Sequence, residues 1–271
     1  MINFYRVSLI ALALPSLWAQ PNVSLKPIDE SLSQITVIGP NDPTFQTVAF
    51  GLIPTGDIPA YAPIVPYCVI VKNDTPRNLL AIGVDFQIVD AQGRSSHVLQ
   101  NFANFPSVRR PLLTPGKMLL IAPESSYTLI AAKARTHFGL MHPLEYYASS
   151  KSISISLQYV LFRNGTFVGP DTADTYDVFA AELAAMQTVG RTAAAYKSQG
   201  AFALKQYLDQ TAAGINTAFN SLSRGFQPNF NLDIAKFAQV LDRQFNQKGA
   251  DAVFSTASSW VADTGNVVIH K

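Results

Sequence analysis

The hydrophobic residues follow two different spacings along the 271-residue chain. From about Ser33 to Val168, short apolar runs are separated by Gly, Pro, Asn and Asp, which is typical of antiparallel strands joined by tight turns. After Pro170 the apolar residues recur every three to four positions, which is typical of amphipathic helices. The change falls between Asn164 and Asp177. The pattern therefore predicts a β-rich first half and a helical second half.

The first half predicts about eight strands, and the clearest one is rich in Ile and Ser. At its start, from Ile153 to Leu157, every second residue is apolar, so one face meets a core and the other meets water. Asn164-Gly165 follows this strand and fits a two-residue hairpin turn. Strands at this spacing without intervening helices favour a sandwich. The predicted strands are 34–38, 46–52, 64–72, 79–89, 95–101, 117–121, 127–132 and 152–162.

The segment 51–66 is rich in proline and interrupts this pattern. Proline cannot donate a hydrogen bond to a strand ladder, so we expect an irregular loop that covers an edge of the sandwich. The alternative is that its apolar residues form the lip of a binding site. These residues are Ile53, Ile58, Tyr61 and Ile64.

The second half predicts three amphipathic helices and a further apolar segment at 253–261. Asp174 or Thr175 is available to cap the first helix, and Glu182 falls on the face away from its apolar stripe. Asn231 or Asp233 can begin the third helix. The three stripes are Tyr176, Phe179, Ala180, Leu183 and Gln187; then Leu204, Leu208, Ile215, Phe219 and Leu222; then Ile234, Phe237, Ala238, Leu241 and Phe245.

The first nineteen residues have the order of a secretory signal peptide. One positive charge, Arg6, precedes an apolar run over 7–14, and Pro15 and the small residue Ala19 follow. This run is far shorter than the roughly 20 residues of a membrane-spanning helix. We expect export to the periplasm, the cell surface or the medium, with the mature chain starting near Gln20. An uncleaved anchor and a cut one or two residues away are the alternatives.

The predicted organisation follows from these boundaries. It is a signal peptide over 1–19, a β-sandwich domain over 20–171, an α-helical region over 172–265 and a tail over 266–271. The 20 basic and 18 acidic residues are nearly balanced, which gives no electrostatic footprint for nucleic acid. Cys68 is the single cysteine, so the chain has no internal disulfide. Because strand-forming residues flank it, we expect a buried and inert thiol.

Several motifs resemble immunoglobulin-like sandwich modules of bacteria. A strand ends in a polar turn, a long strand leads into a hairpin, and a Pro-Gly turn starts a later strand. The chain resembles uncharacterised exported proteins of soil bacteria such as acidobacteria over roughly 64–177. This resemblance implies an α+β protein, in which an antiparallel immunoglobulin-like β-sandwich precedes the helices, and it implies no active-site residues. The motifs are 71–74, 80–86, 90–93, 113–116 and 164–171.

Two clusters offer metal-ligand chemistry without the spacing that a metal requires. His137 and His142 lie five residues apart with Glu145 beyond, which matches no zinc signature, so we expect a surface loop. Asp171, Asp174 and Asp177 recur every third residue, whereas calcium loops use alternate positions and a distal Glu. Carboxylates in a first helical turn are stabilised by the helix dipole, so we expect capping. No metal and no cofactor is predicted.

A basic pair and three sequons remain. Arg109-Arg110 lies near Phe102 and Phe105, an arrangement that grips an anionic or sugar ligand in some proteins, although a solvated loop is the simpler interpretation. Three asparagines match Asn-x-Ser/Thr, and in a bacterial chain we interpret them as turn residues. They are Asn22, Asn73 and Asn164.

The sequence contains no Gly-x-Ser-x-Gly elbow, no Ser-x-x-Lys and no phosphate-binding Gly-rich loop. We therefore expect an exported, non-enzymatic structural or interaction protein of the bacterial envelope, with a protein or polysaccharide partner. The alternative is a hydrolase of envelope polymers whose site is assembled from distant residues. A third option is self-association, with copies meeting through the C-terminal helices.

Overall fold

The structure, a computed structural model, describes residues 22–103, 111–124, 144–172, 174–219, 230–264 and 269–270. The predicted signal peptide and the strand predicted at 127–132 lie outside these residues. The strands are β1 (Asn22–Leu25), β2 (Ile35–Ile38), β3 (Val69–Asn73), β4 (Leu79–Val89), β5 (Ser95–Ala103), β6 (Met118–Ile121), β7 (Ser152–Phe162) and β8 (Phe167–Val168). The helices are α1 (Phe45–Leu52), α2 (Ile58–Tyr61), α3 (Leu144–Ala148), α4 (Thr175–Ala195), α5 (Ala201–Phe219), α6 (Phe230–Lys248) and α7 (Ala250–Thr264).

The strands form two sheets. The larger sheet has the order β1-β7-β4-β5, with β8 also paired to β7, and the smaller sheet has the order β2-β3-β6. All of these pairs are antiparallel except β1 with β7, which makes the larger sheet mixed. With helices following the strands, the chain is an α+β protein, as predicted.

One hydrophobic core joins the two sheets. Phe86 and Ile155 of the larger sheet belong to the same buried cluster as Ile70 of the smaller sheet. Helices α1 and α2 add Phe45 and Tyr61 to this cluster. Because consecutive residues of a strand point to opposite faces, the burial of the whole run 69–71 shows that β3 is covered on both sides.

The strand predicted at 46–52 is wrong, because these residues form helix α1. Phe45 and Ala49, four positions apart, are its buried residues, and this spacing places them on one helical face. Periodicity alone cannot distinguish a short apolar strand from a short buried helix, which explains the error.

The segment 51–66 is also more regular than predicted. It contains α2 and two 3₁₀ turns, Thr55–Asp57 and Val65–Tyr67, rather than an irregular loop. Ile53, Tyr61 and Ile64 are buried in the shared core, so these side chains do not form an exposed lip.

The helical half follows the predicted stripes where they are described; Leu222 and the side chains of Ile215 and Phe219 lie outside the described part of the chain. Phe179 and Leu183 of α4, Leu208 of α5, Phe237 of α6 and Trp260 of α7 are buried in a second core. Helix α6 begins at Phe230, slightly before the predicted starts. This second core also contains side chains of the larger sheet, so the helices pack on its outer face, away from the smaller sheet. The sheet residues concerned are Leu80, Ala81, Tyr159, Leu161 and Phe167.

Two residues of the predicted tail pair with this sheet. The Phe167 amide donates to the carbonyl of His270 (2.8 Å), and the His270 amide donates to the carbonyl of Gly165 (3.0 Å). Ile269 is buried, and its carbonyl accepts a hydrogen bond from the Tyr176 hydroxyl (3.0 Å). The chain therefore returns from the helices to the hairpin that precedes them.

Candidate functional site

The outer face of the larger sheet changes character along its strands. The helices cover it at the end that contains Tyr159, Leu161 and Phe167. At the other end its side chains are mostly polar, apart from Val89 and Leu99, and all of them are exposed or half-buried. We call this second region the polar outer face. Its residues are Ser24, Lys26, Asp85, Gln87, Ser95, His97, Ser154 and Ser156.

Hydrogen bonds connect the polar outer face across all four strands. The Ser24 hydroxyl of β1 lies 3.4 Å from the Ser154 hydroxyl of β7. The Lys26 ammonium, just after β1, donates to Gln87 Oε1 on β4 (2.9 Å). Gln87 Nε2 donates to Ser95 Oγ on β5 (3.2 Å), and His97 Nδ1 lies 3.0 Å from Asp85 Oδ2. These contacts fix the side chains while their remaining donors and acceptors face solvent. The arrangement is a flat, hydrogen-bonding surface.

Tyr159 marks the boundary between the covered end and the polar outer face. Its ring lies directly over Gly83, where a Cβ would fall 2.1 Å from ring atom Cε1. The ring stacks on Phe167 (5.0 Å between centroids) and meets the edge of Phe179 (5.5 Å). Its hydroxyl donates to Asn101 Oδ1 on β5 (2.8 Å). Gly83 is therefore required because a bulky ring crosses the strand there.

A β-bulge in β7 lies next to Tyr159. The register with β4 shifts between Gly83 and Val84, which leaves Gln158 as the extra residue. The Gln158 side chain accepts a hydrogen bond from the Thr172 hydroxyl, so the bulge contacts the loop before α4. Gly169, at φ +133°, packs directly against the backbone of this bulge. A Cβ on residue 169 would lie 2.3 Å from the carbonyl oxygen of Gln158. The bulge thus guides the chain from the sheet into the helices.

Asp171 caps helix α4. Its carboxylate accepts hydrogen bonds from the amides of Thr175 (2.7 Å) and Tyr176 (3.2 Å). The prediction that Asp174 or Thr175 provides the cap is wrong, because Asp174 makes no side-chain cap bond. Asp171 and Asp174 both have positive φ, near +50°, so the loop coils back and brings the earlier carboxylate to the helix end. Asp177 lies in the first turn, as expected for the helix dipole.

Two carboxyl groups come together where α4 packs on α6. Glu182 is half-buried, so its prediction on the solvent-facing side is wrong. Burial, and to a smaller extent the nearby Asp233 carboxylate, raise the pKa of Glu182 to about 7, and Lys236 opposes both effects. Asp233 is only 7% exposed, and its Oδ1 lies 3.1 Å from Lys236 Nζ. Sequence periodicity missed this pair because Glu182 and Asp233 are 51 positions apart along the chain.

Tyr159 belongs electrostatically to the same region. Burial raises the pKa of its hydroxyl, and the carboxylates of Asp171 and Glu182 raise it further. The hydroxyl therefore stays protonated and acts as a hydrogen-bond donor to Asn101. We call Tyr159, Asp171, Glu182, Asp233 and Lys236 the acidic junction.

Another buried carboxyl lies just after β6. Glu124 is 3% exposed and accepts a hydrogen bond from the Tyr147 hydroxyl. Burial raises the pKa of Tyr147, and the contact with Glu124 raises it further. The Tyr147 ring lies 5.8 Å from Tyr67 and 5.4 Å from Tyr146. This cluster is an internal polar contact between β6, α3 and the core.

Cys68 is buried, as predicted. Its thiol lies within donating distance of the Ile64 carbonyl (Sγ to O, 3.3 Å), and burial raises the pKa of the thiol. A thiol that stays protonated and inaccessible is a poor nucleophile. Its role is to fill the core between α2 and β3.

Most of the remaining candidate site residues lie outside the described part of the chain, and the others are placed on α3 and β5. His137, His142, Arg109, Arg110 and Phe105 lie outside the described residues. Glu145 is exposed on α3, and Phe102 is buried in β5. Within the described part of the chain, no three His, Cys, Asp or Glu side chains are placed to hold a metal.

Two of the three sequon asparagines hold turns, as interpreted from the sequence. Asn73 is fully buried, and its Nδ2 donates to the carbonyl of Arg77 (2.8 Å). Asn164 Oδ1 accepts from the Thr166 amide (3.2 Å). Asn22 instead lies in β1, opposite Ser152.

None of the helices in the described ranges has the length and apolar character needed to cross a membrane. Comparison of the chain with protein-family models, curated proteins and solved structures found no match. Functional inference therefore rests on the residues and their geometry.

Proposed function

We propose that this chain is an exported, non-enzymatic interaction protein of the bacterial envelope, and that the polar outer face binds its partner. The observation behind this proposal is the hydrogen-bonded array over four strands, whose side chains stay exposed or half-buried. Protein-protein interfaces usually have an apolar core. Because Ser, Gln, Asp and His side chains dominate this face, we favour a hydroxyl-rich envelope polysaccharide as the partner.

We also propose that the two sheets form an immunoglobulin-like sandwich, related to the exported acidobacterial proteins that the motifs resemble. In that fold, strands A, B and E share one sheet and strands G, F and C share the other, with C′ beside C in variable-type domains. The orders β2-β3-β6 and β8-β7-β4-β5 correspond to this arrangement. One departure is that β8 has two residues, and the parallel strand β1 occupies the rest of that edge of β7.

Export is part of the proposal. The first described strand begins at Asn22, just after the expected cleavage site, so removal of residues 1–19 leaves β1 and its pairing intact. N-terminal sequencing of the protein from its native host is expected to find a start near Gln20. Recovery of Met1 in cytoplasmic protein would contradict export and leave the binding proposal to be tested separately.

The binding test uses co-sedimentation with purified envelope polysaccharide. Ser156→Arg places a long charged side chain on the polar outer face, whereas Gln210→Arg places the same side chain on the exposed surface of α5. We expect Ser156→Arg to weaken binding about tenfold or more, with Gln210→Arg unchanged. Circular dichroism checks that both variants fold. Equal binding by both variants, or no binding by the parent, rejects the polysaccharide assignment.

The second candidate function is hydrolysis of envelope polymers, and the acidic junction favours it. Acid-base catalysis uses two carboxyls whose environments separate their protonation, and burial with a neighbouring carboxylate does this for Glu182. Incubation with purified peptidoglycan measures turnover directly. A hydrolase would lose activity on Glu182→Gln and keep it on the exposed control Glu145→Gln. Absence of turnover by the parent leaves the interaction role.

A further inference from the structure

The edges of the two sheets differ in length. Strands β1, β2 and β6, which end the other sheet edges, have four residues each. Strand β5 has nine, and it pairs with β4 over its whole length without a register shift. No strand in the described ranges pairs with the other side of β5. Among the described residues it is therefore a long and regular edge.

Strands β1 and β6 have lysine and proline beside them, whereas β5 contains neither residue and has Arg94 directly before it. Lys26-Pro27 follows β1, Pro115 and Lys117 precede β6, and Pro123 follows it. Proteins commonly protect sheet edges with lysine, proline, bulges or short strands, because unpaired backbone groups recruit another strand. In β5, His97 is the one titratable residue, and the strand contains neither proline nor lysine.

We propose that two copies of this chain associate by antiparallel pairing of their β5 strands about a two-fold axis near Val98. The segment 95–101 fits a second copy of itself. In this register Ser95 faces Asn101 and His97 faces Leu99, so no like charges meet. A two-fold axis makes the interface self-complementary and closed. The two larger sheets then become one, and their polar outer faces lie side by side.

The first test is the oligomeric state of the mature protein by size-exclusion chromatography with light scattering over a concentration series. We expect a dimer. Leu99 lies opposite Asp85 in β4, so a lysine at this position is compatible with the folded monomer. Leu99→Lys is expected to weaken dimerisation at least tenfold. Ser154→Lys places the same charge on the polar outer face in β7, away from the edge, and is expected to leave the dimer intact.

Phe202→Ser separates this interface from association through the helices. Phe202 lies on α5 and is 84% exposed. A dimer that Phe202→Ser abolishes and Leu99→Lys leaves intact would overturn the β5 proposal in favour of the helices. A parent protein that is monomeric throughout the concentration series overturns both.

The second test replaces half-buried Val98, which packs against the core, by a smaller residue. Directly opposed residues of antiparallel strands have Cα atoms about 4.5–5.5 Å apart, which is within disulfide range. Val98→Cys is therefore expected to form a covalent dimer under mild oxidation, whereas Ser154→Cys remains monomeric. The native Cys68 is buried and does not compete. If no single-cysteine variant at positions 96 to 100, including Val98→Cys, forms a covalent dimer, β5 pairing is rejected. Because this test involves no polysaccharide, its outcome is independent of the binding proposal.

Discussion

The two ends of the outer face of the larger sheet are built from the same strands and have different surroundings. In β7 the half-buried residues Ser152, Ser154 and Ser156 alternate with buried Ile153 and Ile155. From Leu157 to Phe162 every residue is buried, because the helices cover the second face. The loss of alternation therefore marks where the helical region lies on the sheet. A half-buried strand becomes a fully buried one at the bulge.

This difference explains why the chemistry collects at the boundary. The covered end is excluded from solvent, and the polar outer face is accessible to it. Tyr159 and Glu182 are desolvated near this boundary and still have polar neighbours. Such positions shift pKa values most, because burial and nearby charges act together. Substitutions in the buried helical core and at the boundary probe this contrast.

The largest effect is expected in the helical core. Phe237 is buried and its ring meets Trp260 edge to face at 5.5 Å. Phe237→Ala is expected to lower the free energy of unfolding by about 3–5 kcal/mol, because a buried ring is replaced by a cavity. Ser154→Ala on the polar outer face is the control, because the Ser154 hydroxyl makes only a long 3.4 Å contact with Ser24, and it is expected to change stability by less than about 0.5 kcal/mol. Denaturant unfolding measures both. Equal effects would show that the two ends do not differ in packing.

Gly83→Ala tests the boundary itself. The added Cβ would overlap the Tyr159 ring, which is held on Phe167 and has little room to move. We expect a loss of about 1–3 kcal/mol from overpacking. The double variant Gly83→Ala with Tyr159→Leu measures whether the two substitutions couple. Simple additivity would contradict direct contact between residue 83 and the ring.

A smaller loss is expected at the entry to α4. Asp171→Ala removes the carboxylate that caps the helix, which typically costs about 1 kcal/mol. Asp174→Ala is a matched control, because both residues have positive φ but Asp174 makes no side-chain cap bond. Thermal unfolding of the pair gives the contribution of the cap as a difference. A larger loss of stability for Asp174→Ala would show that Asp174, and not Asp171, caps the helix.

The smallest predicted effect depends on pH. Burial raises the pKa of Glu182 from its usual 4.5 to about 7, so folding favours the protonated carboxyl. The stability that the protonated Glu182 carboxyl provides to the folded state is fully present below about pH 4.5 and is lost as the pH rises through 7. Glu182→Gln keeps a neutral side chain and is expected to raise the melting temperature by about 2–4 °C at pH 8, with no gain at pH 4.

The control for this pH dependence is Glu145→Gln, because the Glu145 side chain is exposed on α3. It is expected to leave the pH profile of the melting temperature unchanged. A Glu182→Gln gain that is equal at pH 4 and pH 8 would indicate better packing rather than removal of a charge.

Local patterns predicted the elements well where a single periodicity extends over a long segment. The stripe from Ile234 to Phe245 gave α6, and the Ile/Ser alternation gave β7. Prediction failed for α1, where the apolar run is short and both periodicities fit eight residues. It also missed β1, whose four residues pair in parallel with a strand that follows far along the chain.

The candidate site was harder to predict than the fold. The sequence shows Glu182 as a polar residue opposite an apolar stripe, which is a solvent-facing position on an isolated helix. Its partial burial depends on where α6 crosses α4, and that crossing depends on long-range packing. Asp171 likewise belongs to the capping cluster that the sequence suggested, but the backbone turn decides which carboxylate reaches the helix end.

The sequence by itself determined the α+β class, the position of the change from strands to helices, and the burial of Cys68, because these follow from local composition and spacing. Only the tertiary structure decided which end of the sheet the helices cover, which carboxyls meet, and which strand forms the long edge. These depend on contacts between residues far apart in the chain, to which local periodicity is insensitive. The polar outer face therefore becomes visible as a surface only after four separate strands are aligned.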